Sequence, residues 1–96
     1  MLNNTPKTLQ QIRQLAGEDC YQLLTIEGDD FTQIKGITRI AEKLSEKYPD
    51  ARFFISSNPH DFGTYYGLEI LDSDMSKYSD VEDESLLVAE ELGYDI

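Results

Sequence analysis

Two periodicities alternate along the chain. Leu9, Ile12, Leu15 and Ala16 recur at helical spacing, after Thr5-Pro6 and before Gly17. Threonine is a good N-cap, and proline loses no hydrogen bond at the first helical position. Glycine suits the left-handed residue that ends a helix, so a helix is predicted over 6–16. Tyr21 to Ile26 reads as a strand, apolar enough on both faces to be central, and Gly28-Asp29-Asp30 breaks it.

Ile34, Ile37, Ala41, Leu44 and Tyr48 then form one helical stripe, which Pro49 closes. Asp30 and Gln33 have the spacing of a capping box. Gly36 weakens the first turn by about 1 kcal/mol relative to alanine, which moves the expected start toward Thr38. Arg52 to Ser57 and Thr64 to Leu71 are the next strands. In the latter, Tyr66, Leu68 and Ile70 share one face, and Tyr65, Gly67 and Glu69 the other. Asn58 to Gly63 is a six-residue hairpin loop on this pattern. Ser79 and Glu82 again have capping-box spacing, before a helix with Val81, Ser85, Val88, Ala89 and Leu92 on one face and Gly93 at its end.

The predicted order is α-β-α-β-β-α: an α+β domain over residues 1–96, with a three-stranded sheet packed by helices. If the first two strands pair in parallel, the connection through the middle helix is a right-handed crossover. The patterns assign Tyr21, Leu23, Leu24, Ile26, Ile37, Ala41, Leu44, Phe54, Tyr66, Leu68, Ile70, Val88 and Leu92 to the core.

Composition narrows the function. Of 96 residues, 40% are hydrophobic and 28% charged, the balance of a soluble globular chain. With 19 acids against 8 bases the formal charge is −11. DNA and RNA are therefore not expected partners, because that affinity comes from cations neutralising phosphates. The longest apolar run is Leu86 to Ala89, far short of a membrane span, and Met1 to Pro6 lacks the features of a secretory signal. One cysteine, Cys20, permits neither an intrachain disulfide nor a thiolate-rich zinc site, and a cytoplasmic location is expected.

The stretch from Asn58 to Tyr65 holds the only histidine, His60, beside Asp61. Asn58, His60, Asp61 and Tyr65 form the candidate loop site of a small enzyme or ligand-binding domain. His60 would act as a general base, or would activate Cys20 as a nucleophile. The plainer reading is that Asn58 and Asp61 bond loop amides, Phe62 plugs the core and Gly63 supplies a positive φ. No third member of a catalytic constellation is present, so the plainer reading is preferred and no catalytic residue is assigned.

The run Tyr48-Pro49-Asp50-Ala51-Arg52-Phe53-Phe54-Ile55-Ser56-Ser57-Asn58-Pro59-His60-Asp61-Phe62-Gly63-Thr64-Tyr65 resembles a segment of small, uncharacterised bacterial and phage proteins. These share an Asn-Pro-His-Asp-Phe-Gly-x-Tyr pattern after a strand and before an acidic C-terminal stretch. The resemblance covers residues 38–75. It implies a compact α/β domain and brings no established activity with it, so it carries over no site residue.

Asp29-Asp30, His60-Asp61 and Asp72/Asp74 offer metal ligands, yet the last lacks the glycine and final glutamate of a calcium loop. No Gly-rich phosphate loop exists, and Tyr65, Tyr66 and Tyr78 lack the nearby cations that base stacking needs. No cofactor is implied.

Charge is unevenly placed. Residues 1–68 carry nine acids and seven bases, whereas residues 69–96 carry ten acids and one base. On the last helix Asp83 stacks with Glu90 and Glu84 with Glu91, and Leu87 falls between these two lines. This is the candidate interaction face of a non-enzymatic module for a basic protein, by which it would mimic the charge of a nucleic acid.

Overall fold

The computed structural model describes the backbone of residues 2–94 and the side chains of residues 5–59 and 61–94. The elements are β1 (Leu2–Lys7), α1 (Leu9–Ala16), β2 (Cys20–Thr25), α2 (Asp30–Lys47), β3 (Phe53–His60), β4 (Gly63–Leu71), α3 (Asp72–Lys77) and α4 (Val81–Glu91). The class is α+β. The sheet, however, has four strands in the order β1-β3-β4-β2, and the element order is β-α-β-α-β-β-α-α. The expected three-stranded sheet and its element order are therefore corrected.

The extra strand is the segment read as a helix start. Pro6 lies in an edge strand, where a missing N–H breaks no ladder on the open side. The cap of α1 is Thr8, not Thr5. Thr8 Oγ1 accepts from Gln11 N at 3.1 Å, and Gln11 Oε1 accepts from Thr8 N at 2.9 Å. This reciprocal pair outweighs the Thr-Pro signal.

β1 pairs in parallel with β3, while β4 runs antiparallel to both β3 and β2. The strands at 20–25 and 53–60 thus never pair, since β4 lies between them. The chain crosses the sheet one way from β1 to β2 and returns from β2 to β3. A common hand for both crossovers requires α1 and α2 on opposite faces. That is where they lie. Ile12 of α1 packs with Phe54 and Leu71, whereas Ile37, Ile40 and Leu44 of α2 pack with Phe53, Ile55, Leu68 and Ile70.

α2 starts at Asp30, earlier than Thr38. Its N-cap is Asp29, whose carboxylate accepts from Thr32 N at 2.8 Å. Gly36 is tolerated because a Cβ there would stand 2.8 Å from Ile26 Cδ1 and 3.0 Å from the Tyr94 ring, a close packing worth more than helix propensity. The six-residue loop shrinks to a two-residue turn, Asp61-Phe62, because β3 and β4 stay paired out to His60 and Gly63.

Asp72 to Lys77, to which the sequence pattern assigns no element, forms α3; Asp74 accepts from the backbone and guanidinium of Arg52 at 2.9 and 3.0 Å. The N-cap of α4 is Asp80, not Ser79, and makes no side-chain cap bond. Of the expected core, Tyr21 is 40% exposed, and Tyr66 and Leu92 are partly buried; the others are buried.

Candidate acidic docking face

α4 buries Val81, Ser85, Val88 and Ala89 against α2 and the sheet. Two contacts fix its rotation. Tyr21 Oη donates to Glu82 Oε2 at 2.8 Å on the β2 side, and Lys47 of α2 pairs with Glu84 on the other. At 100° per residue, the arc between these anchors facing away from the core holds Leu86, Glu90, Asp83, Leu87 and Glu91.

Leu86 is 39% exposed and Leu87 53%. Among the described residues, no ion pair includes Asp83, Glu90 or Glu91. Glu84 is different: its charge is matched by Lys47, which takes it out of the candidate face. Leu86 was missed by the sequence reading. Its signal was its place beside Leu87 in a run whose buried stripe already had enough members.

The four residues of the hairpin candidate are partly brought together. Asn58 and Tyr65 are cross-strand partners, and Asn58 Nδ2 donates to Ser56 Oγ at 3.4 Å. Asp61 is in the turn. His60 pairs through its backbone with Gly63, and its side chain lies outside the described residues. The flanking strands end their pairing at Ser56 and Gly67, so residues 57–66 form a two-stranded arm beyond the sheet. Phe62 at its tip is 95% exposed and plugs no core, contrary to the plainer reading of this stretch.

Cys20 pairs with Leu71 and His60 with Gly63, at opposite ends of β4. At about 3.3 Å per residue those partners are roughly 26 Å apart, which rules out a direct Cys20–His60 dyad. Burial, followed by the nearby Glu69 charge, pushes the Cys20 thiol up to about 12. It is a thiol donor, 3.5 Å from Glu69 Oε1, rather than a thiolate.

Glu69 is the functional-type residue that sequence reasoning missed. It is 2% exposed, accepts from Ser56 Oγ at 3.0 Å, and is also bonded by Gln22. Its burial raises the carboxyl above the ordinary value, against the pull of those donors. The period-2 pattern gave its face correctly but not its cover: α1 crosses that face, so a polar position is sealed.

A groove of about 470 Å³ opens between β1 and α1, lined by Thr5, Pro6, Lys7, Gln11, Gln14 and Leu15. None of these belongs to the hairpin site or to the Glu69 cluster. Among the described residues, no three His, Cys, Asp or Glu side chains are placed to hold a metal. Asp29 is a helix cap and Asp74 engages Arg52. No described helix is long and apolar enough to cross a membrane. No family model, curated protein or solved structure matches the chain.

Proposed function

We propose that this chain is a non-enzymatic protein-interaction module that docks a basic protein on the outer face of α4. The observation that carries this reading is the exposure of Leu86 and Leu87 on the outer arc of α4, flanking and flanked by three carboxylates that no ion pair of the described residues includes. Exposed leucines supply apolar area to be removed from water, and the carboxylates supply steering and register. Six carboxylates and no base lie within residues 80–91, so the field is concentrated on this side of the molecule. The hairpin candidate and the Cys20 thiol offer less. The first brings together an amide and a phenol, and the second is held protonated.

Elution of the full chain from immobilised poly-L-lysine tests the reading. Asp83→Asn, Glu90→Gln and Glu91→Gln together should lower the salt needed for elution. Glu27→Gln, Glu46→Gln and Asp50→Asn, three exposed carboxylates elsewhere, change the net charge equally and should lower it much less. Equal shifts for the two variants would mean that net charge alone binds, and would overturn the reading.

A further inference from the structure

We propose that the partner enters as an extended basic segment that adds a strand to the open edge of β2, alongside α4. The inference rests on the docking role of α4 and specifies the conformation of what docks.

The two outer strands of the sheet are unlike each other. β1 is blunted by Pro6, which has no N–H, by the charge of Lys7, and by a register irregularity between Asn3 and Lys7. Such features are how sheets discourage a further strand. β2, at the other end, carries one irregularity between Gln22 and Leu24, and neither a proline nor a charged residue. Its only strand neighbour among the described residues is β4. The backbone groups facing away from β4 therefore form a row that an extended chain can complete.

What flanks this row gives the chemistry of the occupant. Tyr21, 40% exposed, holds Glu82 of α4 on the β2 side. Counting on from Glu82 at 100° per residue, Leu86 and Glu90 follow along the same side of the helix, with Asp83 just above. A strand about 4.8 Å beyond β2 runs beneath this row. Lysine or arginine side chains at alternate positions would lay their aliphatic stems on Tyr21 and Leu86 and carry their charges to Glu90 and Asp83. A second copy of this chain fits poorly, because pairing two β2 edges brings two acidic helices and two charges of −11 together.

The test uses the full chain and a blocked octapeptide of alternating lysine and threonine, with a second version N-methylated at every residue so that neither edge of the strand can donate. The two have the same charge, but only the first can complete a ladder. Hydrogen exchange should slow by about tenfold or more at the β2 amides facing away from β4 when the first peptide binds. The N-methylated peptide should bind about tenfold more weakly, the equivalent of one or two lost hydrogen bonds. Equal binding of both peptides, with changes confined to α4, would overturn strand addition and leave the docking role standing. If neither peptide affects α4 or β2 at low salt, both proposals are overturned. Protection of the β2 edge without peptide, together with a dimer in sedimentation, would overturn the proposal in favour of a second copy.

Discussion

Ser56 Oγ donates to Glu69 Oε2 at 3.0 Å although the two residues are not register partners; Ser56 faces Gly67, and Glu69 faces Phe54. The diagonal bond needs the space that Gly67 leaves. A Cβ at Gly67 would stand 2.9 Å from Ser56 Oγ, 3.0 Å from Glu69 Oε2 and 2.2 Å from Gln22 Nε2. The Gln22 amide is the end of a flexible, exposed side chain and can swing away, but the two buried oxygens cannot. Gly67→Ala should therefore destabilise the fold by about 1–3 kcal/mol in urea unfolding, the usual range for overpacking. An unchanged midpoint would show that the cluster is loose.

The same carboxylate sets a pH dependence. Glu69 is buried without a cation, so the folded chain holds its proton more tightly than the unfolded chain does. A folded pKa above the unfolded value means that stability falls as pH rises from the ordinary carboxyl value of 4.5 upward, and levels off once the folded group has also ionised. Glu69→Gln keeps an oxygen for the Ser56 hydroxyl and carries no charge at any pH. The variant should gain on the wild type as unfolding is measured from about pH 4 to about pH 8. A difference that stays flat across that range would contradict the account of Glu69.

Cys20 responds to the same group. With its thiol pushed up to about 12, alkylation near neutral pH should be at least about a hundredfold slower in the folded chain than in urea. Glu69→Gln should speed the folded reaction, since it removes the charge that helps to hold the proton on sulfur. A folded rate equal to the unfolded one would show Cys20 to be open.

Two leucines separate packing from docking. Leu44 is fully buried in the α2 cluster, and Leu44→Ala should cost about 2–5 kcal/mol. Leu87 faces solvent, so Leu87→Ala should change stability by less than about 0.5 kcal/mol in the same measurement. A large loss at Leu87 would place it in the core and remove it from the docking face.

The helical stripes of α2 and α4, and the strand at 63–71, were legible because their apolar residues repeat at the period of the element; the strand at 20–25 was legible as an apolar run, but it lies at the edge of the sheet and not at its centre as that run suggested. Leu2 to Lys7 was not legible. Its pairing with β3 is a long-range parallel contact, and Thr5-Pro6 imitates a helix start. The turn at Asp61-Phe62 was hidden because Asn58 and Pro59 read as breakers, although paired strands continue through them. On α4 the exposure of Leu87 followed from its wheel position. The loss of Glu84 to Lys47 depends on how α2 packs beside α4, which no local pattern encodes. Glu69 was unreadable for the same reason: its burial depends on what covers that half of the sheet.

The docking claim is tested most directly by following backbone amide shifts of the full chain during titration with the lysine–threonine octapeptide. The account predicts changes concentrated at residues 82–91 and along β2, residues 20–25. They should fade as added salt shortens the Debye length from about 10 Å at 0.1 M to about 3 Å at 1 M. Changes centred instead on residues 58–65, or indifferent to salt, would contradict it.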